Sequence, residues 1–327
     1  MAVNWQEFIE VIQAHDRFML TSHIRPDCDA LGSVLGMMDV LEQLGKDVII
    51  VNGQPTPPNL AFIDPENRIK AIGVDIQPED LQDRDIHMVL DTSAWAQLGP
   101  MGEVIKAMDI PLIVVDHHQG EDDLGATFFK DTTAEAAGKL VADAADALGI
   151  EWNARMARPL FAAVATDTGW YRFGSAGAGT YQLASRLVEA GAVPSEIYGQ
   201  LYEQETLGRL RLRGTVLERV GVELDGRLAH TFIRLEDFEN TGAVPTDTED
   251  LVNLCLTIKG TDAAFILVEQ TPDVYKVSFR SRCELDCSEL ARQFGGGGHK
   301  AAAGAGIDGP FEECQGRLLD AMIAKLQ

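Results

Sequence analysis

Two apolar spacings alternate along the first part of the chain. Phe18-Met19-Leu20-Thr21, Asp47–Val51, Ile86–Leu90 and Ile110–Val115 are short, nearly continuous apolar runs. Between them, residues 30–44 carry apolar side chains at helical spacing and stop at Gly45. Thr132-Thr133-Ala134-Glu135 has the form of a capping box that opens a helix to about Leu148. Residues 155–166 and 180–190 read as two more helices, the last closed by Gly191. Strands buried on both faces read as continuous apolar runs, and strands that alternate with helices build a parallel sheet. The pattern predicts an α/β domain over residues 1–194, a parallel sheet with helices on both faces.

From Pro194-Ser195 to about Val220 the chain is rich in Leu, Arg and Glu at helical spacing, which predicts a helical linker over 195–220. Beyond Gly221 the pattern changes. Leu228–Ile233, Ala263–Glu269 and Tyr275–Arg280 read as strands, the last two joined by the hairpin-length turn Gln270–Val274. A helix over Phe311–Lys325 ends the chain. Residues 221–327 are therefore expected to form a smaller α/β domain that binds substrate.

A length of 327 residues suits two domains. The net charge of -24 changes the picture more, because binding long nucleic acid normally needs a basic surface that releases counterions. Long duplexes are excluded as partners; a short anion held by metals and a few local cations is not. No apolar run reaches about 18 residues, so no transmembrane helix and no membrane partner are expected. The first residues lack a basic segment followed by an apolar one, which points to a cytoplasmic protein. The five cysteines make no close pair of pairs, so reduced, partly buried thiols are expected rather than a zinc site.

Ionisable groups fall at the C-terminal ends of the expected strands: His23 with Asp27 and Asp29, then Asp91, then Asp116-His117-His118. Ligands of open parallel sheets bind at those ends. Asp167 ends an apolar helical run. Imidazoles and carboxylates without thiolate suit Mn²⁺ or Mg²⁺. Two such ions about 3.5–4 Å apart can act on one phosphoryl group, and Asp91, alone at its strand end, is the natural bridge. Taken singly, Asp27 and Asp29 read better as turn residues and Asp91 as a helix cap. The paired histidines are harder to assign to structure. Gly295-Gly296-Gly297-Gly298-His299-Lys300 reads as a loop whose backbone amides approach a phosphate, with a flexible linker as the alternative. Arg280, at a strand end, offers a two-pronged phosphate contact or a solvated surface charge. Trp170 and Tyr171 read as core residues, with base stacking as the alternative.

Taken together these segments resemble the DHH phosphoesterases. Ser22–Ser33 resembles the first motif, Val89–Ser93 the second, Asp116-His117-His118 the third and Thr166–Gly169 the fourth. Ser278–Arg280 with Gly295–Gly304 resembles the DHH-associated domain with its glycine-rich GGGH signature. Asp167–Phe173 and the chain length resemble the oligoribonuclease/pAp phosphatase branch. The resemblance implies one metal on His23, Asp27 and Asp91 and a second on Asp29, Asp91, His117 and Asp167. It places His118 against the phosphate or leaving group, as a catalytic residue beside Asp91. Ser278, Arg280, Gly296, Gly297, Gly298 and His299 would hold substrate from the second domain. Asp116 is expected to orient its neighbours. One departure is Cys28, where the family usually has Gly; a thiol there could crowd the loop or make it sensitive to oxidation.

The implied activity is metal-dependent hydrolysis of short oligoribonucleotides to mononucleotides, or of pAp to AMP and phosphate. Two divalent ions serve it, Mn²⁺ favoured and Mg²⁺ allowed. The alternative substrates are cyclic dinucleotides or their linear products. A homodimer is an assembly this resemblance allows. The filled ligand positions argue against a sensor without turnover.

Overall fold

The four apolar runs lie side by side at the centre of a six-stranded sheet. In the computed structural model, which describes residues 3–327, the first unit ends at Glu203 and contains α1 (Trp5–Ala14), β1 (Arg17–Thr21), α2 (Cys28–Gln43), β2 (Asp47–Asn52) and β3 (Ile69–Ala71). It continues through β4 (Ile86–Leu90), α3 (Trp95–Leu98), α4 (Pro100–Ala107), β5 (Leu112–Asp116) and β6 (Thr127–Lys130). The helices α5 (Ala137–Ala147), α6 (Ala154–Asp167), α7 (Ala178–Glu189) and α8 (Pro194–Tyr202) complete it. Met1 and Ala2, at the head of the expected first domain, lie outside the described residues.

The strand order is β3-β2-β1-β4-β5-β6, with every neighbouring pair parallel. Phe18, Leu20, Met88, Leu90 and Val115 face a core shared with α1, α2, α5 and α6. Met19, Val51, Val89 and Val114 face the opposite layer, where α4 contributes Met101 and Ile105. Burial on both faces explains why the runs show no alternation. The order reverses direction between β1 and β4. That crevice, at the carboxyl ends of the strands, is where an open parallel sheet receives a ligand.

The expected capping box at 132–135 does not form. Thr132 and Thr133 lie in a turn in which Asp131 accepts from the Thr133 N–H and hydroxyl, and the helix begins later, at Ala137. Its N-cap, Ala136, has no side-chain acceptor. The Asp29 carboxylate of α2 takes that place, accepting from the N–H groups of Ala137 at 2.7 Å and Gly138 at 2.9 Å. A tertiary acceptor has displaced a local one.

The segment expected as one helical linker is two helices belonging to different units: α8 closes the first, and α9 (Leu207–Glu218) opens the second, Gln204–Gln327. The second unit then runs β7 (Gly221–Glu223), β8 (Leu228–Ile233), α10 (Leu235–Thr241), α11 (Val252–Cys255), β9 (Ala263–Thr271), β10 (Val274–Ser281), α12 (Cys287–Arg292), β11 (Gly297–Gly298), β12 (Ala302–Asp308) and α13 (Phe311–Leu326). Its sheet is ordered β11-β12-β10-β9-β8-β7, and only β8 and β9 run parallel. Along β9, Ala263, Phe265 and Leu267 pack toward α12 and α13, while Ala264, Ile266 and Val268 pack toward α9 and α11.

The glycine-rich segment, expected as an open loop, is a hairpin. Gly297 pairs with Gly304 and Gly298 with Ala303. A side chain at Gly296 would put its Cβ 2.1 Å from the Gly304 carbonyl oxygen, so the close pairing of backbones requires glycine.

Close helix packing beneath the sheet rests on α2 against α6. A Cβ on Gly32 would lie 2.4 Å from the Pro159 carbonyl oxygen, a backbone atom that cannot rotate away. Gly32→Ala is expected to cost about 1–3 kcal/mol, the usual penalty of overpacking. Gly174→Ala, which meets open space, should stay within about 0.5 kcal/mol. Urea denaturation midpoints check both.

Candidate metal centre

Three strand ends and two helix ends carry the ionisable groups expected from the sequence. His23 follows β1, Asp91 follows β4, and His117 and His118 follow β5. Asp27 caps α2, its Oδ1 accepting from the N–H groups of Asp29 (2.9 Å) and Ala30 (3.0 Å). Asp167 is the last residue of α6. The turn-residue alternative is therefore also true of Asp27, which caps its helix and still reaches the cluster.

The groups converge on Asp91. His23 Nε2 lies 3.3 Å from Asp91 Oδ2 and 4.0 Å from Asp27 Oδ1. His117 Nε2 lies 3.5 Å from Asp91 Oδ1, 3.6 Å from Asp29 Oδ2 and 3.7 Å from Asp167 Oδ2. Two sets, His23-Asp27-Asp91 and Asp29-His117-Asp167, each bring their donor atoms within 4.8 Å of one another. A third set, Asp91-His117-His118, overlaps both. Asp91 presents one oxygen to each imidazole and has φ +63°, a left-handed conformation that few residues other than Gly, Asn and Asp adopt. Its Oδ1 is buried and accepts no hydrogen bond. A buried carboxylate oxygen without a donor is costly in a protein alone and suits a cation.

Both imidazoles are fixed in direction by the backbone. His23 Nδ1 lies 3.0 Å from the Ile24 carbonyl and His117 Nδ1 lies 3.1 Å from the Ala134 carbonyl. An N–H on each Nδ1 donates to the carbonyl and turns Nε2 toward the carboxylates. Burial alone would push these imidazoles down in pKa. Asp91 and the backbone acceptor outweigh it, with Asp27 adding at His23 and Asp29 at His117, and both are drawn up to about 9. The carboxylates divide. Burial and the Asp91 charge raise Asp29; burial also raises Asp167; Asp91, although buried, is held below its usual range by the facing imidazoles.

Asp116 differs in kind. It is fully buried, accepts from Ser93 Oγ at 2.6 Å and pairs with Lys130 Nζ at 3.2 Å. On its other oxygen it accepts from the His118 backbone N–H and stands 2.9 Å from His118 Nδ1. Asp116 is thus an orienting group whose charge the protein neutralises. His118 is half exposed, and its hydrogen bond to Asp116 raises its pKa against the effect of burial. His23, Asp91 and His118 line a cavity of about 350 Å³. Lys130, Ser93 and the Ala134 carbonyl were not expected from the sequence. Each acts only through a contact between residues distant in the chain, and none carries a local signal. Cys28 points into the core below; burial pushes its thiol up to about 12, which makes it inert rather than oxidation-prone.

The second unit gathers its own set. Lys276, Ser278 and Arg280 alternate onto one face of β10 and line a cavity of about 400 Å³. Arg280 donates to Asn253 Oδ1 at 3.1 Å and to the Phe279 carbonyl at 3.1 Å. Ala302, after the hairpin tip that bears the exposed His299, pairs with Arg280. No helix among the described residues is long and apolar enough to cross a membrane.

Residues 17–166 match the model of the DHH family, N-terminal domain, and residues 226–327 match that of the DHHA1 domain. The bifunctional oligoribonuclease and PAP phosphatase NrnA of Bacillus subtilis (strain 168) is 28% identical over 305 residues, 92% of this chain and 92% of its own. The protein of the same name from Thermus thermophilus is 29% identical over 312 residues, 94% of this chain and 89% of its own. Among solved structures, an exopolyphosphatase-related protein from Bacteroides fragilis superposes with a TM-score of 0.79 at 26% identity, covering 98% of this chain and 95% of that one.

A cation at this cluster has to compete with protons. With His23 and His117 both near 9, each is charged at neutral pH and must lose its proton before Nε2 can act as a ligand. Mn²⁺ affinity is therefore expected to climb from pH 6.5 to 9, by up to about tenfold per pH unit for each imidazole, then level off. Calorimetric titration in buffers of different ionisation enthalpy should show proton release on binding at pH 7.5.

Proposed function

The chain belongs to the DHH family of phosphoesterases, a DHH domain joined to a DHHA1 domain, and on that premise we propose that it hydrolyses short oligoribonucleotides and pAp with two divalent metal ions. The observation that carries the proposal is the convergence of two imidazoles on the two oxygens of Asp91, with Asp27 beside His23 and with Asp29 and Asp167 beside His117. His23, Asp27 and Asp91 would hold one ion, and Asp29, Asp91, His117 and Asp167 the other. Imidazole with carboxylate favours Mn²⁺ over Mg²⁺, which prefers oxygen ligands and retained water. When bound, the ions would lower the pKa of water and offset charge on the phosphoryl oxygens.

The chain's own residues do the rest. Asp91 keeps both ligand sets in register. His118, whose hold on a proton Asp116 strengthens, faces the cavity and can contact a phosphoryl oxygen or give its proton to the leaving oxygen. Ser278 and Arg280, with Gly297, Gly298 and His299 of the hairpin, supply donors for a phosphate of the substrate, whereas the Gly296 N–H is already given to the Ala291 carbonyl. The net charge of -24 limits the partner to short anions.

Asp91→Asn should lower turnover of pAp by on the order of a thousandfold in Mn²⁺; near-native turnover would sink the two-metal reading. Asp116→Asn removes the charge that raises His118, so His118 would lose its proton at lower pH. The alkaline limb of the kcat–pH profile should move down, and an unmoved limb would remove His118 as the acid. His299→Ala is expected to raise KM for pAp several-fold with Mn²⁺ affinity intact, and an unchanged KM would remove its substrate contact. Rates on pAp, a dinucleotide, long RNA and a cyclic dinucleotide, each with Mn²⁺ and Mg²⁺, set the substrate class; preference for the cyclic compound would replace the proposed one.

A further inference from the structure

Immediately after Asp167 the backbone does something unusual. Gly169, Trp170 and Tyr171 all have positive φ (+57°, +58° and +62°), and two of the three carry large aromatic side chains. Such a run is strained and needs surroundings that fix it. Here the Trp170 N–H donates to the Ala165 carbonyl at 2.6 Å, and the Tyr171 N–H to Thr168 Oγ1 at 3.1 Å. Phe161 of α6 packs against both rings, at centroid distances of 6.0 and 5.9 Å. The turn aims the Trp170 ring at α8, where it meets Tyr198 at 5.1 Å and Tyr202 at 5.7 Å, both edge to face.

Tyr198 and Tyr202 are one helical turn apart, with ring centroids separated by 4.9 Å. They remain 39% and 47% exposed, so the cluster is open on one side. Its position follows from two neighbours. Trp170 is three residues beyond Asp167, and Phe161, which packs against it, lies on the same helix as Asp167. Arg172 is two residues beyond Trp170. Its Nε donates to the Gly169 carbonyl at 2.7 Å, and it has no carboxylate partner among the described residues. In a chain with 51 acidic side chains against 27 basic ones, a cation without a carboxylate partner, two residues from the ring that backs Tyr198 and Tyr202, matches a ligand that is both anionic and aromatic.

We propose that Tyr198 and Tyr202, backed by Trp170, form the surface on which a nucleobase of the substrate stacks, with Arg172 facing the negative charge of the same nucleotide. This deepens the phosphoesterase reading and rests on it. The surface belongs to the first unit alone. Stacking uses the face of the base and not its hydrogen-bonding edge, so it accepts any base and favours purines. The rings then supply specificity for nucleotides over other phosphate esters without reading sequence.

The test compares AMP with ribose 5-phosphate, which lacks the base, by calorimetric titration of the full chain with Mn²⁺. A stacked base is worth on the order of five- to a hundredfold in affinity, so the wild type should prefer AMP by that factor. The double variant Tyr198→Ala, Tyr202→Ala should lose the preference, while Tyr198→Phe, Tyr202→Phe, which keeps both rings, should retain it. Arg172→Ala should weaken both ligands together. An AMP preference that survives in the double Ala variant overturns the proposal. So does a change in sedimentation of that variant with the preference intact, which would make the rings a contact between copies of the chain. If the double Ala variant fails to fold, Tyr202→Lys, a surface change on α8, must show the same loss. Failure of the wild type to hydrolyse pAp or any oligoribonucleotide would instead strike the phosphoesterase reading, and binding of AMP against ribose 5-phosphate still decides the stacking surface.

Discussion

The carboxylate of Asp29 is the point on which the first unit turns. It is buried at the start of α2, and it receives the two leading amides of α5, a helix whose own N-cap offers nothing. Those amides carry the positive end of the helix, which is what makes a buried carboxylate tolerable. The consequences spread outward. The turn before α5 is held in place, so the Ala134 carbonyl can accept from His117 and fix the direction of its Nε2. The same Asp29 oxygen that caps the helix faces that nitrogen. One side chain thus joins helix packing, loop position and imidazole orientation, and none can change alone.

This coupling also marks where the sequence stops being legible. Strand ends were readable because burial on both faces leaves continuous apolar runs, and His23, Asp91 and His117 sit directly after three of them. The beginning of α5 was not. Thr132 and Glu135 satisfy the local rule for a helix start, and the helix ignores them because a better acceptor arrives from a residue more than a hundred positions away. The edge strands β3 and β6, three and four residues long, are too short to show a period. β12, Ala302–Asp308, has only one β-branched residue and is extended because β10 and β11 pair with it. Its pairing turned an expected open loop into a hairpin. The break between α8 and α9 falls inside a stretch with unbroken helical spacing, and only the packing of Ile197 into one core and Leu212 into another reveals it.

The three residues of the Asp116-His117-His118 motif have separate electrostatic fates. Asp116 is neutralised by Lys130 and bonded by Ser93, so it asks for no cation. His117 is turned inward among three carboxylates that lack any lysine or arginine partner among the described residues. His118 is turned outward. The acidic pocket is therefore left incomplete by its neighbours: the nearby lysine goes to Asp116, and Asp29, Asp91 and Asp167 are left to be balanced by something else.

The positive φ of Asp91 limits what sequence drift can do at that position. Asn and Gly adopt such a backbone readily but bring no charge. Glu brings the charge, yet is a poor resident of that backbone region and extends the carboxylate by a methylene into a space already bounded by two imidazoles. Every neighbour of aspartate in chemical space thus fails one of two independent requirements. On the proposed two-metal reading, position 91 has no conservative replacement, and its loss is hard to repair by any change other than reversion.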